Sequence, residues 1–366
     1  MAGVNETAYP RLKTHPTKKE LSSIYTPSPE EIALAGTQAQ RQGPRIGFLI
    51  LLKTFQRLGY FPQLAAVPSA IKSYIAESAG FSQLPPSLAD YDNGNARLRH
   101  CNRILAFLRV SAYGDAAEAA MIAAVTEAAA TKDDLADIVN VAIEELVRQR
   151  YELPGFTTLL KAAKKARVTV NGGYHRLIYQ ALGSTGCARI DKLLARGSRS
   201  TKSLWDKVKQ EPKRPTIGHM REFSAHIHWL KEYDLGEMAF RMIPDIKLRQ
   251  FAAEAKSLDV ASMRDLTEIK RYALAAVLVR LQTARALDDV AEMFVKRVQK
   301  LHRLGKEALN EFHLRHIDKT HSLVAMLREI IIAACNSEEP ELNRFDAIKA
   351  VIWTSPKVLD KINRAV

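Results

Sequence analysis

The chain has 366 residues, 47% of them hydrophobic, which is enough for two or three domains with buried cores and argues against a disordered chain. Lys and Arg outnumber Asp and Glu by 54 to 40, so the formal net charge is +14. This excess favours an anionic partner, whether nucleic acid, an acidic membrane surface or an acidic protein. The three cysteines are widely separated and lack CxxC spacing, which argues against a disulfide framework or a zinc knuckle.

Apolar residues recur at helical spacing along most of the chain, and alanine, which favours helix, is abundant, so we predict an all-α fold. Only residues 167–170 have the character of a short strand. Residues 1–25 are predicted to form an extended or mobile N-terminal arm. Ser28, Pro29 and the two acids that follow are typical of a helix start, which predicts a helix over 29–40.

A first helical DNA-binding unit is predicted at 26–112. Residues 42–44 and 59–62 contain Gly and Pro and are expected to interrupt the helices, and 83–95 is expected to be a loop. Besides the first helix, the helices expected in this unit are 45–58, 68–79 and 96–110. Of these, the last is rich in basic residues.

A second helical DNA-binding unit is predicted at 113–200. Two amphipathic helices, 115–130 and 132–150, begin it, and Thr131 is expected to cap the second. The Pro-Gly turn that follows, with Thr157 as N-cap, is typical of the joint in a helix-turn-helix pair. We therefore predict a recognition helix over 158–166, a turn at 171–173 and a further helix over 174–182.

The positive charge is concentrated in residues 161–221, which contain 15 Lys and Arg and three acids. The alternative of a solvated charged face is the usual explanation of a charge run, but such faces tend to mix signs. Because Lys and Arg supply most non-specific affinity for DNA, this imbalance favours a DNA contact. Residues 201–220 are predicted to be a basic linker.

Within the predicted recognition helix, Thr157, Thr158 and Lys161 lie near the N-terminus, where side chains reach the major groove. The residues placed better for phosphate contacts are Lys164, Lys165, Arg167 and Arg176. Further candidates for DNA contact lie outside this helix: Arg45, Lys53, Arg57, Arg97, Arg99, His100, Arg103, Arg199 and Lys202.

The remaining residues, 221–366, are predicted to form a helical dimerisation or connector region. A periodic stretch over about 268–336 carries an apolar stripe in its second half. Such a stripe is typical of a long helix that packs in a bundle or pairs with a second chain.

Signals for catalysis, metal binding and membranes are missing from the sequence. There is no P-loop motif, and Gly183-Ser-Thr-Gly186 is better explained as a turn than as an RNA clamp. His313 and His316 share a helix face, but no further ligand completes a zinc site, so a solvated face is the better explanation. No apolar run approaches the ~20 residues that span a bilayer, and no secretory signal is present. We therefore expect a soluble intracellular protein without catalytic or metal-binding residues.

Several motifs resemble Tn3-family transposases. They are YTPSPEE at 25–31, RIGFLILL at 45–52, LGYFP at 58–62, RLRH at 97–100 and, the most specific of them, LPGFTTL at 153–159. The stretch to about Arg199 resembles the N-terminal domain of that family called DUF4158, and the later helices resemble the segment that follows it.

This resemblance implies that the chain binds double-stranded DNA at transposon terminal inverted repeats, in a bacterial, nucleoid-associated setting. It also implies two small DNA-binding units followed by a dimerisation region. The family's Asp-Asp-Glu triad and its two Mg²⁺ ions belong to an RNase H-like domain that we expect this chain to lack, so no cofactor is expected here. The alternatives are a truncated transposase that pairs with the full-length protein and regulates transposition, and a generic basic helical RNA-binding or scaffold protein.

Overall fold

The structure, a computed structural model, describes residues 3–84, 88–195, 203–236, 240–335, 338 and 340–353. Within these ranges all regular secondary structure is helical, apart from one isolated bridge between Ser111 and Tyr151. The predicted all-α class is therefore confirmed. The chain divides into two compact units, the first made of Met1–Gln210 with Trp229–Ala284 and the second of Glu211–His228 with Arg285–Val366.

The first six α-helices surround one hydrophobic core. Their ranges are α1 (Lys18–Ile24), α2 (Pro29–Gln38), α3 (Gln42–Leu58), α4 (Ser69–Ser78), α5 (Ala89–Asp92) and α6 (Asn95–Leu108). Helix α3 is buried on nearly every side from Ile46 to Phe55, as expected of a helix at the centre of a core. Residues 42–44, expected to break the chain, form its first turn, where proline is well tolerated.

The start of α2 is as predicted. Ser28 is its N-cap, and the Ser28 hydroxyl accepts a hydrogen bond from the Glu31 backbone at 3.2 Å. The Glu31 carboxylate accepts one from the Ser28 backbone N–H at 2.7 Å in return. This reciprocal pair satisfies two N–H groups that have no partner within the helix.

A second core lies between α7 (Asp115–Thr131), α8 (Leu135–Arg148) and α9 (Phe156–Leu193). Tyr9 of the N-terminal arm belongs to this core, and its hydroxyl donates to the Pro154 carbonyl at 3.1 Å. The Tyr60 hydroxyl donates to the Pro10 carbonyl at 3.2 Å. Two neighbouring residues of the arm, Tyr9 and Pro10, are therefore hydrogen-bonded to the rest of the unit. The described arm residues thus lie on the first unit.

Helix α9 differs from its prediction. Residues 171–173 were expected to form a turn, and 167–170 had strand character, but both lie inside α9. The helix continues because its side chains bond to the α7–α8 connection: the Asn171 amide donates to the Asp133 carboxylate at 2.9 Å. A glycine inside a helix costs only about 0.5–1 kcal/mol, which such contacts offset. The backbone leaves helical geometry instead at Gly183, with φ 59° and ψ −175°.

Two predicted helix caps are also corrected. Asp134, not Thr131, caps α8, and its carboxylate accepts from the Ala136 backbone at 2.7 Å. Helix α9 begins at Phe156 with Gly155 at its N-cap, so Thr157 lies in the first turn. Both helices were predicted, but their observed first residues differ from the predicted ones by two or three positions.

The later helices are α10 (Leu204–Val208), α11 (Ile217–Lys231), α12 (Asp245–Ser257), α13 (Val260–Asp265), α14 (Glu268–Cys335) and α15 (Glu341–Trp353). Helix α14 has 68 residues and confirms the expected long helix. Its residues 268–284 belong to the first unit, and 285–335 belong to the second. Helix α12 packs on α9, where the Phe251 ring lies 4.6 Å from the His175 ring.

Gly47 marks the tightest contact in the first core. A Cβ atom at Gly47 would lie 2.7 Å from the ring of Tyr91, whose hydroxyl is held 2.7 Å from His100 Nδ1. We therefore expect Gly47→Ala to lower the free energy of unfolding by about 1–3 kcal/mol through overpacking. Gly172→Ala is the matched control, because a Cβ there meets nothing within 4 Å, so it should raise stability by about 0.5–1 kcal/mol. Urea unfolding followed by circular dichroism measures both, and equal midpoints would contradict this packing.

Candidate nucleic-acid interface

Helix α9 carries an exposed face of uncompensated positive charge. Between Phe156 and Leu193 it contains seven Lys and Arg and a single acid. Thr157, Thr158, Lys161 and Lys165 are all exposed, and the two lysines share a face at i, i+4 spacing. Lys161, Lys164 and Lys165 form no ion pair within the described chain, although Lys164 is half-buried.

The basic face borders a groove between α7 and α9. Thr158, Lys161 and Lys165 line the groove from α9, and Ile122 and Glu118 line it from α7. Glu118 is the one acid among the described residues of this lining, so positive charge predominates there. The groove thus presents cationic and hydroxyl groups along one side of an exposed helix.

Further along α9, Arg167 is held in place by the α7–α8 connection. Its guanidinium donates to the Asp133 carbonyl at 3.0 Å, and the Asp133 carboxylate also bonds to Lys247 at 3.0 Å. Burial works against ionisation of Asp133, but hydrogen bonds from Asn171 and Lys247 outweigh it and lower the pKa of the carboxyl. Arg176, two turns on, is exposed and donates to the Gly172 carbonyl at 3.3 Å.

Helix α6 presents a second basic face. Its fourteen residues include no acid, and both Arg99 and Arg103 are exposed at i, i+4 spacing without an ion pair in the described structure. Leu98 beside them is 68% exposed. Arg57, at the end of α3, is exposed as well. These residues remain candidates for contact with a phosphate backbone.

Four other candidates have packing roles instead. Lys53 is buried and its Nζ lies 3.3 Å from a carboxylate oxygen of Glu31. His100 is also buried, and burial lowers the pKa of its imidazole, so it does not supply a cation to DNA. We remove both from the interface, because a buried side chain cannot reach a phosphate.

The remaining two are arginines that bond within the first unit. Arg97 pairs with Asp92 at 3.2 Å and donates to the Pro62 carbonyl at 3.0 Å. The guanidinium carbon of Arg45 lies 5.5 Å from the centre of the Phe81 ring. Arg199 and Lys202 lie outside the described residues.

Residues 4–166 match the family described as a domain of unknown function, DUF4158. This match covers the N-terminal part of the chain. Over 342 residues it is 24% identical to the transposase for transposon Tn501 of Pseudomonas aeruginosa, which covers 92% of this chain and 34% of that protein. Over 314 residues it is 21% identical to the transposase for transposon gamma-delta of Escherichia coli strain K12, covering 83% of this chain and 31% of the relative.

These matches confirm the resemblance to Tn3-family transposases. The chain spans about a third of the length of both relatives. Within the described residues of the chain, no three His, Cys, Asp or Glu side chains converge as metal ligands. No helix in the described part of the chain is long and apolar enough to cross a bilayer.

His175, on the buried side of α9, predicts a pH dependence of stability. Burial lowers the pKa of its imidazole from 6.5 to about 4, and the nearby Lys270 charge adds to this while Glu254 opposes it. The unfolded chain therefore binds a proton between pH 6.5 and 4 that the folded chain excludes, so stability should fall as the pH decreases through this window.

Urea unfolding between pH 7 and pH 4 tests this prediction. His175→Gln should reduce the dependence of the unfolding free energy on pH in that window, because glutamine does not titrate. The control is the exposed His228→Gln, which should keep the wild-type slope. Identical slopes for wild type and His175→Gln would show that His175 does not titrate differently on folding.

Proposed function

We propose that this chain is the DNA-binding part of a Tn3-family transposase and that it recognises transposon terminal inverted repeats. The observation that carries the proposal is the exposed face of α9, where Lys161 and Lys165 have no acidic partner among the described residues. The relationship to two transposases over most of the chain supports the same conclusion. The strand cleavage and transfer of a whole transposase are not assigned to the residues of this chain.

In this proposal the first turns of α9 enter the major groove. Thr157, Thr158 and Lys161 supply donors and acceptors for base edges, because side chains near the start of a recognition helix reach the bases. Lys165 and Arg176 lie further along and neutralise phosphates. The basic face of α6 provides a second contact that adds affinity without requiring a particular sequence.

Three basic side chains on the exposed part of α14 pair with acids on the same helix. There Lys296 pairs with Glu292 at 2.5 Å, Arg303 pairs with Glu307 at 3.6 Å, and Arg315 pairs with Glu311. Each pair is separated by four residues, as in an exposed helix with mixed charges. Lys161 and Lys165 of α9 have no such partner in the described chain, which leaves them available for an external anion.

We expect the double change Lys161→Ala and Lys165→Ala to weaken binding to a DNA duplex that contains the terminal inverted repeat of the transposon. The slope of log K against log salt should become shallower by about one, because Lys165 supplies one phosphate contact of about 0.9 and Lys161 is directed at a base edge. Fluorescence anisotropy across a salt series measures this slope. Lys296→Ala with Arg303→Ala is the control of equal charge, and its slope should match the wild type.

Three outcomes would overturn parts of the proposal. An unchanged slope for the α9 variant would show that this helix does not contact phosphate. Equal affinity for the repeat and a scrambled duplex would remove the claim of sequence recognition. Equal or better competition by RNA of matched length would favour the generic RNA-binding alternative.

A second candidate function is regulation by pairing, and an exposed apolar stripe on α14 favours it. Phe294, Val298 and Leu301 are 59%, 46% and 52% exposed, and Phe312 lies on the same stripe at 57%. Their spacing alternates between three and four residues when Gly305 and Ala308 are included, as in a coiled-coil seam. A chain that pairs through this seam with a full-length transposase could form an inactive mixed assembly.

We expect Val298→Glu with Leu301→Glu to abolish self-association, because charges at seam positions cannot be buried without partners. Analytical ultracentrifugation at micromolar concentrations measures the mass. Met242→Glu changes an apolar residue of the first unit that is 82% exposed, more than Val298 or Leu301, and should leave the mass unchanged. A wild-type chain that sediments as a monomer and does not bind a full-length relative would exclude this function.

A further inference from the structure

Two arginines have a backbone conformation that other residue types usually avoid. Among the described non-glycine residues only Arg109 and Arg150 have positive φ, at 54° and 58°. Each follows the end of a helix and closes it. The Val110 backbone donates to the Leu105 carbonyl at 3.0 Å, and Tyr151 donates to Leu146 at 2.9 Å. Both helix ends therefore have the left-handed closure in which glycine is usual.

Stability alone does not explain arginine at these positions. A side chain in the left-handed region costs roughly 1–2 kcal/mol, which glycine avoids. The same unit uses glycine where α3 ends, since Gly59 is its C-cap with φ 73°. Backbone strain that persists where glycine would relieve it points to a function of the side chain.

The backbone next to each arginine takes part in one hydrogen-bonded bridge. The Ser111 backbone donates to the Arg150 carbonyl at 2.9 Å, and the Glu152 backbone donates to the Ser111 carbonyl at 2.9 Å. This bridge ties the residues after α6 to the residues before α9. Both arginine side chains are exposed, and neither has an ion pair in the described structure.

The position of this pair connects the two basic faces. Arg109 ends α6, which carries Arg99 and Arg103, and Arg150 precedes α9, which begins at Phe156. The backbone bridge between Ser111 and Tyr151 joins the chain segments that connect these two faces. A guanidinium can donate two parallel hydrogen bonds to phosphate oxygens, so it suits the backbone of a nucleic acid.

We propose that Arg109 and Arg150 together clamp the phosphate backbone of duplex DNA where it passes from α6 to α9. This inference rests on the proposed DNA-binding function and adds two contact residues to it. Both arginines adjoin the same hydrogen-bonded backbone bridge, and neither gives up an ion pair of the described structure to bind a phosphodiester.

Glycine substitution provides the test, because it removes the guanidinium and relieves the strain at once. We expect Arg109→Gly with Arg150→Gly to leave the melting temperature unchanged or raise it. The slope of log K against log salt for duplex DNA should become shallower by about two. Loss of affinity in a variant that is at least as stable cannot come from unfolding.

Arg109→Lys with Arg150→Lys is the matched control. It keeps both charges and the strained backbone, so the salt slope should stay at the wild-type value, while affinity falls because the paired hydrogen bonds are lost. A double glycine variant with wild-type affinity and slope would overturn the clamp, as would a lower melting temperature for that variant. If the wild-type chain itself fails to bind DNA, the proposed function fails, whereas a failure of the clamp alone leaves wild-type binding intact.

Discussion

The buried ammonium group of Lys247 holds the basic helix α9 in position. Lys247 is 0% exposed, and its Nζ donates to the Lys132 carbonyl at 2.7 Å and to the Asp133 carboxylate at 3.0 Å. The same Asp133 bonds to Asn171 and Arg167 of α9. One carboxylate therefore joins α12, the α7–α8 connection and α9. Burial lowers the pKa of Lys247, and the contact with Asp133 opposes this, so the ammonium depends on its partner to remain charged. Loss of one partner of such a pair costs about 3–5 kcal/mol.

Because this network lies on the inner side of α9, the outer side is left free for a ligand. Arg167 is used internally, whereas Lys161 and Lys165 point away from the network and have no acidic partner in the described chain. Arg167 and Lys165 face different sides because residues two apart on a helix lie on roughly opposite faces. A rigid inner side and an unpaired outer side are what a recognition helix needs, since a base contact requires fixed positions.

Local signals in the sequence predicted the helices well and the roles of single residues less well. Ser28, Pro29 and the acids after them fixed the start of α2, because capping is a matter of neighbouring residues. By contrast, Lys53 and His100 were assigned to DNA from residue type, and only their burial against Glu31 and Tyr91 shows otherwise. The positive φ of Arg150 could not be predicted from the neighbouring sequence, because glycine is the residue type that usually indicates such a conformation.

The two units differ in the kind of interaction they offer to partners. In the first unit the exposed charges of α6 and α9 are unpaired, so salt should weaken any binding there by competing for phosphate. In the second unit Lys296, Arg303 and Arg315 of α14 pair with acids on the same helix, and an apolar stripe of α14 is exposed. Association through such a stripe depends on apolar area, which excluded salts strengthen rather than weaken. Raising the concentration of a sulfate salt should therefore weaken DNA binding and strengthen pairing through α14. DNA binding depends on the release of counterions, whereas pairing depends on the release of water from apolar surface.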